Sequence, residues 1–573
     1  MFKKIFFLLD KNEIKYLIII SIFLLLGIFF EMLSFVIIIP VFNLVFLNNF
    51  SDNFLLNLFF TDNGALENNN SKVIILVIML LIFFIKNIYL IIFNYFNKKF
   101  FYDLNIRLST NLFTLYLKQN YFFFLKNKSD NLLRKSTNDI VGFQTFLSSF
   151  QALIAELILL FFLAILLLSV NYIIFLFCTL VFTSIMIIYI KIVKKRIRTW
   201  SYDYQKNLGS LQNLVVEGVR GVRDVIIYNL EKFFSRRFLY FVNSTQQPFF
   251  KIDFINNVQR FWMEILAVVS MTLPMIYFVY FQADINEQLP VFVLFCVSVF
   301  RIVPSFNRII LNYQNIKFFT PSVNLIYNEF VSLEIKDINT KDDKFKFNEK
   351  IELKNVGFSY DTNQILSNIN IKIQKGSSIA ITGSNGSGKS TLLNIVSGLL
   401  EPTEGKIIVD DKYNVYKNLK SWQNNISFVQ QNIFLINTSI KKNIVLEDSE
   451  NIDNTKLDHI SNLLSLDEMF ENLPNKLETV VGTDGQFLSG GQKQLISIAR
   501  ALYKENEIII FDEASSALDK KHMKILQNLL ISLRGSKTII VVTHQFTDIK
   551  KIFDNIYEID STKLLSKLDK KLN

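Results

Sequence analysis

The sequence has few of the residues that build covalent scaffolds or solvated surfaces. Its 573 residues include two cysteines, Cys178 and Cys296, and both lie within apolar runs. They cannot supply a disulfide framework or a cysteine metal site, so we interpret both as packing residues. Charged residues make up only 19% of the chain, whereas hydrophobic residues make up 51%. The chain is too apolar for an ordinary soluble protein, and a disordered or collagen-like chain is excluded.

Glycine is scarce in the first part of the chain and positive charge is balanced in the second. Residues 1–340 hold 6 of the 18 glycines, but they carry +10 of the formal net charge of +11. A helical region followed by an α/β region rich in tight turns is therefore predicted. Basic charge on an apolar chain could bind either an anionic membrane surface or nucleic acid. The positions of the basic residues along the chain must therefore distinguish these two partners.

Six apolar stretches are each long enough to cross the roughly 30 Å hydrocarbon core of a bilayer. They cover residues 16–46, 73–93, 149–170, 172–192, 261–281 and 290–311. The start of the chain, MFKKIFFLLDKNE, is basic and then apolar like a signal peptide, but Asp10 and Glu13 interrupt the run and no small-residue cleavage site follows. We therefore predict an interfacial helix that leads into the first span.

The basic residues lie in two of the segments between the spans. Residues 94–147 carry eight Lys or Arg and residues 193–260 carry twelve, whereas the other connections carry only Lys72. The positive-inside rule then places both termini in the cytoplasm. Membrane topology thus explains most of the charge, so a lipid bilayer is the expected partner and nucleic acid is not. Both basic segments have the mixed pattern of amphipathic helices that extend the spans.

Ionisable residues also fall inside the predicted spans, where an unpaired charge is costly. They include Glu31, Lys86, Glu156, Glu264, Arg301 and Arg308. Glu31 and Lys86 lie at similar depth and are candidates for an ion pair. Arg301 and Arg308 share one face of the sixth span, because seven residues make two helical turns. Arg308 can extend to the interface, but Arg301, roughly 18 Å into the span by helical rise, indicates a cavity or an anionic partner.

A polar linker is predicted at residues 336–350, before an α/β domain at residues 351–573 that opens with the strand IELKNVGFSY. In that domain, residues 383–391 read GSNGSGKST and fit the phosphate-loop pattern, with an apolar strand before them and a helix after them. The candidate ATP-binding residues of this loop are Gly383, Ser384, Asn385, Gly386, Ser387, Gly388, Lys389, Ser390 and Thr391. Lys389 is expected to neutralise the β- and γ-phosphates, and the Ser390 hydroxyl to bind Mg²⁺.

The strand IIIFDE, residues 508–513, ends in two carboxylates. Asp512 is suited to hold Mg²⁺ through water, and Glu513 to orient and deprotonate an attacking water. Isolated apolar strands that end in exposed acids are common, but here the pentapeptide LSGGQ stands just upstream, at residues 488–492. With that pentapeptide the chain resembles the nucleotide-binding domain of the ATP-binding cassette (ABC) family.

The resemblance implies roles for the remaining site residues. Tyr360 would stack on adenine, and Gln431 would sense Mg²⁺ and the membrane domain. The implied catalytic set is Glu513, His544, Gln431 and Lys389, and the implied Mg²⁺ set is Ser390, Gln431 and Asp512. The ATP-binding set is completed by Ser489, Gly490, Gly491, Gln492 and Asp519. The signature residues Ser489, Gly490 and Gly491 would reach the γ-phosphate of ATP bound to another copy of the chain.

The resemblance also implies a fold class and an assembly. The expected fold is a six-helix, all-α transmembrane ABC exporter domain at residues 1–335, followed by a cytosolic α/β P-loop NTPase domain of the ABC type. One membrane domain with one cassette makes a half-transporter, so a homodimer in the cytoplasmic (inner) membrane is the simplest expectation. ATP and Mg²⁺ are the expected cofactors.

Two membrane segments narrow the resemblance. Residues 31–40 and 301–318 are similar to segments of the lipid-linked oligosaccharide flippases of bacterial protein N-glycosylation, and more loosely of lipopolysaccharide exporters. This implies an anionic lipid-linked substrate, with Arg301, Arg308 and Arg260 along its path. Alternatively, the arginines brace helices by pairing with Glu156 or Glu264. Other open alternatives are export of a lipid A-type lipid, a peptide or a hydrophobic compound, and an ATP-gated channel or regulatory subunit.

Overall fold

The computed structural model describes ten stretches of the chain. They are residues 1–37, 69–170, 172–280, 285–334, 345–361, 363–446, 452–515, 518–543, 552–559 and 565–568. The chain divides into two compact units. The first comprises Met1–Gln119 and Lys126–Lys336, and the second comprises Asn120–Leu125 and Asp337–Asn573. The second unit thus takes in six residues that the sequence assigns to the membrane domain.

The described part of the first unit is helical. Its longer helices are Lys11–Val36, Asn69–Leu117, Ile140–Val170, Tyr172–Arg220, Glu231–Tyr280 and Ile285–Glu334. Shorter helices cover Phe2–Leu8, Ser129–Arg134 and Val222–Ile227, and a π-helical turn covers Lys135–Asp139. A helix of 49 or 50 residues measures about 74 Å, more than twice the roughly 30 Å hydrocarbon core. The long helices predicted to extend the spans are therefore present.

Three helical segments among the described residues are long and apolar enough to cross a membrane: Lys11–Val36, Leu76–Leu117 and Ser129–Leu168. Apolar side chains on them point outward, as shown by Leu80 at 70% exposed and Phe84 at 65% exposed. Such exposure fits contact with lipid.

The start of the first predicted span, residues 16–46, lies in a helix that begins before it. The helix begins at Lys11, because the Glu13 carboxylate accepts a hydrogen bond from the Asp10 backbone N–H at 2.9 Å and caps the first turn. Residues 38–46 of the predicted span lie outside the described residues.

Side chains from several helices meet in the apolar core of the first unit. This core contains Ile28, Leu159, Leu163, Met263, Phe306 and Ile310. The helices Ile140–Val170 and Ile285–Glu334 pack along each other over much of their length. Residues that are far apart in the sequence therefore face each other across this pair of helices.

The described part of the second unit contains ten strands. They are β1 Lys350–Tyr360, β2 Asn363–Gln374, β3 Ser378–Gly383, β4 Glu404–Val409, β5 Tyr413–Asn414, β6 Ile426–Val429, β7 Ile508–Asp512, β8 Thr538–Val542, β9 Asn555–Ile559 and β10 Leu565–Leu568. One sheet has the antiparallel order β2-β1-β4-β5. The other has the order β10-β9-β3-β8-β7-β6 and is parallel except for the β9–β10 pair. Its central strands are apolar and buried, as expected for a parallel sheet covered on both faces.

The structure places the end of the predicted linker inside the second unit. Phe345 and Phe347 are buried, and the Phe345 ring stacks on Tyr413 with centroids 4.4 Å apart. The Phe345 backbone N–H also donates to the Ser421 hydroxyl at 2.9 Å. In an extended segment, alternate residues share a face, so the two phenylalanine rings lie on the same side. The lysines between them make the same segment look like a polar linker in the sequence.

Candidate nucleotide-binding site

The sheet order brings two separate sequence motifs to one edge. Strands β3 and β7 both pair with β8 in parallel, so the carboxyl ends of all three point the same way. Gly383 ends β3 and Asp512 ends β7. Ligands of open α/β sheets bind at this edge, and the phosphate loop and the acidic pair therefore lie in the same region of the unit.

Glycine is required at two positions of the phosphate loop. Gly383 has φ +143°, and a Cβ there would lie 2.4 Å from the Ile559 carbonyl oxygen. Gly388 has φ +98°, and a Cβ would lie 2.9 Å from the Leu366 side chain. The chain then enters the helix Lys389–Val396, whose first N–H groups face the loop. A helix N-terminus of this kind binds anions.

Lys389 is the cation of the loop and is buried, with 6% of its surface exposed. Its ammonium donates to the carbonyl oxygens of Gly383 at 3.1 Å and Ser384 at 2.8 Å. Burial lowers the pKa of Lys389, while the carboxylates of Glu513 and Asp512 oppose that shift. The buried Ser387 hydroxyl has no hydrogen-bond partner among the described residues. An orphaned donor beside a buried ammonium fits the phosphate oxygens of ATP.

The predicted Mg²⁺ residues Ser390 and Asp512 lie together. The Ser390 hydroxyl donates to the Asp512 carboxylate at 3.4 Å. The pKa of Asp512 lies above its ordinary value, mainly because the carboxyl group is buried. The neighbouring Glu513 also raises this pKa, whereas the Ser390 hydrogen bond opposes the rise. Hydroxyl, carboxylate and the Gln431 amide are hard oxygen ligands of the kind that Mg²⁺ takes, so these residues fit that ion. When bound, Mg²⁺ would neutralise charge on the ATP phosphates.

Glu513 occupies an uncommon backbone conformation. Its φ is +50°, in the left-handed region that residues with a side chain rarely adopt. Its N–H donates to the Val542 carbonyl oxygen at 3.1 Å, which holds this turn against β8. The Gln431 amide donates to the Glu513 carboxylate at 2.7 Å. Two predicted catalytic residues, 82 positions apart, are therefore in direct contact. The left-handed backbone of Glu513 is a strained conformation, and strain of this kind commonly marks a functional position.

We expect Gln431→Ala to lower the turnover of ATP by about 10- to 100-fold while changing ATP affinity much less. The reason is that one hydrogen bond to a charged group contributes about 1.5–3 kcal/mol, and this one orients Glu513 rather than a phosphate. Steady-state hydrolysis and equilibrium ATP binding measure the two effects. The exposed neighbour Gln430 provides the control Gln430→Ala, which should behave like the wild type. Equal losses in both variants would contradict the orienting role.

The LSGGQ residues form the N-terminus of the helix Gly490–Tyr503. The Ser489 hydroxyl accepts from the Gln492 N–H at 3.2 Å, and the Gln492 side chain accepts from the Ser489 N–H at 2.8 Å. This reciprocal capping box fixes the first turn. Ser489 and Gly490 are exposed, whereas Gly491 and Gln492 are half-buried. The Ser-x-x-Gln spacing of residues 489–492 is that of a capping box, so Gln492 has a structural role besides the one that the resemblance implies.

Tyr360, the predicted adenine-stacking residue, ends β1 and is half-buried. Its ring is edge-on to Phe358, with centroids 4.8 Å apart, and nearly parallel to Phe122 at 6.4 Å. Phe122 belongs to the segment Asn120–Leu125 of the second unit and was not predicted from the sequence. One face of the Tyr360 ring therefore has an aromatic neighbour within the unit.

Of the two remaining predicted site residues, Asp519 and His544, the structure describes only Asp519. Asp519 is the N-cap of the helix Lys520–Leu533 and accepts from the His522 backbone N–H at 2.8 Å. That hydrogen bond, together with the His522 imidazole at 2.7 Å, lowers the pKa of Asp519. Its carboxylate remains largely exposed. His544 lies outside the described residues, which end here at Thr543.

Arg500 is a further residue that sequence reasoning missed. It lies in the signature helix Gly490–Tyr503, and its guanidinium donates to the carbonyl oxygens of Asn443 at 2.9 Å and Phe434 at 3.1 Å. Phe434 is three residues beyond Gln431. Arg500 therefore ties the signature helix to the segment that follows Gln431. An arginine next to apolar residues of the helix that follows LSGGQ was the only signal available in the sequence.

The geometry defines a class of protein: a phosphate-loop nucleotide-binding domain joined to a helical unit with segments able to cross a membrane. Two family models match the chain, "ABC transporter" at residues 366–516 and "ABC transporter transmembrane region" at residues 17–303. The second match alone covers half of the chain. The protein therefore belongs to the ABC transporter family, whose nucleotide-binding domain is an ATPase coupled to transport. The prediction of this family from the cassette motifs is confirmed.

Individual relatives are similar over most of the chain. The ATP-dependent lipid A-core flippases of Wigglesworthia glossinidia brevipalpis and Escherichia coli K12 are 28% and 27% identical, over 67% and 65% of this chain. The matched regions span 66% and 64% of those relatives, slightly less than two thirds of their length. A solved structure of a bacterial Atm1-family ABC exporter with ATP bound matches with a TM-score of 0.73 at 20% identity, covering 97% of this chain and 95% of that one. This match confirms the predicted exporter fold.

Proposed function

We propose that two copies of this chain hydrolyse ATP to move an anionic glycolipid of the lipid A type across the cytoplasmic membrane. The observation that carries the proposal is the assembled site, in which Lys389, Asp512 and Glu513 meet at one sheet edge of a chain that also has apolar spans. Both termini and the nucleotide-binding domain would lie in the cytoplasm, as the charge of the loops predicts.

The exposed signature supports the proposed dimer. One chain has one phosphate loop and one LSGGQ helix N-terminus, and Ser489 and Gly490 are open to a partner. In a symmetric dimer each helix N-terminus would approach the phosphates held by the other copy. Binding of ATP would then draw the two copies together. Hydrolysis at Glu513 would release them and drive the membrane helices between inward- and outward-open states.

The charged residues of the spans support an anionic substrate at one position and helix bracing at another. Arg308 pairs with Glu156 through contacts of 2.5 and 3.4 Å, as the bracing alternative predicts. Arg301 pairs with Glu31 at 2.6 Å, so Glu31 takes Arg301 rather than Lys86 as its ion-pair partner. The Lys86 ammonium lies 3.5 Å from the Ser34 hydroxyl.

The cluster of Glu31, Lys86 and Arg301 carries two positive charges and one negative charge. The Arg301 Nε atom is buried and makes no hydrogen bond within the described residues. An excess cation with a free donor in a low-dielectric setting favours a bound phosphate. The side chain of Arg260, the third predicted arginine, lies outside the described residues.

The names of the relatives favour a lipid A-type glycolipid over a lipid-linked oligosaccharide as the substrate. They are named for lipid A-core rather than for lipid-linked oligosaccharides, so they support the alternative substrate of the sequence analysis better than its first choice. Both substrates are phosphorylated glycolipids, and the cationic cluster at Arg301 suits either.

Reconstitution of the full chain in vesicles tests the proposal. We expect ATP-dependent translocation of a lipid A-type glycolipid, and little movement of a polyprenyl-pyrophosphate oligosaccharide or a hydrophobic peptide. The variant Glu513→Gln serves as the inactive control. Movement of the peptide alone would overturn the glycolipid proposal, and ATP-dependent ion current without any lipid translocation would indicate a channel.

We expect Arg301→Gln to raise the glycolipid concentration for half-maximal transport by about 10- to 100-fold, which corresponds to one charge-assisted hydrogen bond. The matched variant is Arg308→Gln, which leaves Glu156 unpaired and should lower the unfolding temperature with little effect on that concentration. Transport titrations and thermal unfolding are measured for both variants. If Arg301→Gln changed only the unfolding temperature, Arg301 would be a bracing residue.

A further inference from the structure

A groove on the first unit is not used by the proposed transport cycle. It lies between the helices Lys11–Val36 and Asn69–Leu117 and has a volume of about 810 Å³. Most of its surface is aromatic or aliphatic, including Tyr16, Phe23, Tyr89, Phe93, Phe96 and Phe100. At one end the Tyr89 hydroxyl donates to the Phe23 carbonyl oxygen at 2.5 Å and joins the two helices. An apolar groove of this size between membrane helices suits acyl chains.

The other end of the groove is lined by a cluster of ion pairs around Arg107. The Arg107 guanidinium donates to both oxygens of the Glu13 carboxylate, at 2.5 and 2.6 Å, and to the Leu8 carbonyl oxygen at 2.8 Å. Asp10 lies 3.3 Å away from the same guanidinium. These groups satisfy one another, so they form a wall of the groove rather than a binding group.

Two further charges line the groove between that wall and the aromatic surface. Lys99 and Asp103 are exposed and lie four residues apart on the same helix. Neither forms an ion pair in the part of the chain that the structure describes. Lys99 is nearer to the apolar span 73–93, and Asp103 lies about 6 Å further along the helix axis. A ligand would therefore meet apolar surface first, then a positive charge, and then a negative charge.

We propose that this groove binds one phospholipid with an ethanolamine headgroup. The acyl chains would lie on the aromatic surface, the phosphate on Lys99 and the primary ammonium on Asp103. This order of charges is that of the lipid itself, in which the phosphate is nearer to the acyl chains than the amine is. The two charges that would face the lipid headgroup, Lys99 and Asp103, sum to zero, which complements a zwitterion.

The chemistry of the groove distinguishes this lipid from other phospholipids. A primary ammonium donates hydrogen bonds to a carboxylate, whereas the quaternary amine of choline cannot. The glycerol of phosphatidylglycerol carries no positive charge, so it would leave the Asp103 carboxylate without a counter-charge. The groove should therefore prefer ethanolamine over choline, and choline over glycerol headgroups.

Native mass spectrometry of the purified full-length protein tests the proposal. The protein is exchanged into an equimolar mixture of phosphatidylethanolamine, phosphatidylcholine and phosphatidylglycerol with identical acyl chains. We expect one retained ethanolamine lipid per chain, and we expect Asp103→Asn to lower the ethanolamine-to-choline ratio by about tenfold. Lys99→Gln should lower retention of all three lipids. The assay needs neither ATP nor glycolipid, so its outcome is independent of the proposed transport function.

Two control variants sharpen the test. Lys98→Gln removes a neighbouring exposed lysine outside the groove and should retain lipid like the wild type. The double variant Lys99→Asp/Asp103→Lys keeps the net charge but reverses the order, and it should lose the ethanolamine preference. ATP hydrolysis by each variant confirms folding. Equal retention of the three lipids by the wild type, an unchanged preference in the double variant, or cross-linking of a second copy into the groove would overturn the proposal.

Discussion

Glu513→Gln is expected to reduce ATP hydrolysis by about 10²- to 10⁴-fold, the usual contribution of a general base. Glutamine keeps the size of the side chain and can still accept the hydrogen bond that Gln431 donates to the carboxylate at 2.7 Å. It cannot take a proton from water. ATP affinity should remain close to that of the wild type, because Lys389 and the loop backbone are unchanged. Steady-state phosphate release and equilibrium ATP binding provide the two measurements.

The control for this variant is Glu349→Gln, which changes an exposed glutamate elsewhere in the same unit. It should hydrolyse ATP at the wild-type rate. We also expect ATP to accumulate in a long-lived complex with Glu513→Gln, since the closed dimer would form but not reopen. Sustained hydrolysis by Glu513→Gln would show that another group activates the water.

Lys389→Ala is expected to weaken ATP binding by about 10- to 100-fold, because a buried charge-assisted hydrogen bond contributes about 1.5–3 kcal/mol. The ammonium is held 2.8 Å from the Ser384 carbonyl oxygen and is therefore preorganised at the loop. Hydrolysis should fall with it, since Lys389 is the residue expected to neutralise the β- and γ-phosphates. Titration calorimetry with ATP and steady-state hydrolysis measure the two losses.

This variant needs a test of folding, because the Lys389 ammonium also binds two carbonyl oxygens of the loop. Thermal unfolding without nucleotide should change little relative to the loss of affinity. Lys406→Ala, at an exposed position on β4, serves as the matched control and should bind ATP normally. Unchanged ATP affinity in Lys389→Ala would remove Lys389 from the binding site. The contrast with Glu513→Gln separates binding from chemistry.

The phosphate loop could be predicted from the sequence because its residues are contiguous and its geometry is local. Gly383 and Gly388 adopt the positive φ values that the motif requires. The contact between Gln431 and Glu513 depends on the order of β6, β7 and β8 in the sheet, which no local pattern contains. The strand pattern supplied Glu513 and the family resemblance supplied Gln431, but only the structure supplied the hydrogen bond that joins them.

Charged residues in the spans were harder to assign. Glu31 and Lys86 lie at similar depth, and depth is all that a hydropathy pattern provides. The rotation and packing of the helices decide which side chains meet, and they bring Arg301 to Glu31 across 270 positions of sequence. The partner of Arg308, Glu156, was one of two glutamates considered and is the one observed. The roles of His544 and Arg260 stay predictions.

Arg500 has a consequence for the timing of the proposed cycle. The signature helix, which carries Arg500, would contact the nucleotide bound to a second copy. The segment to which Arg500 donates its hydrogen bonds follows Gln431, and Gln431 contacts Glu513 of the same chain. Through these two hydrogen bonds we expect a displacement of the signature helix to shift the segment that follows Gln431. Each copy would then respond to both nucleotides together. The dimer would hydrolyse ATP as one coupled unit rather than as two independent enzymes.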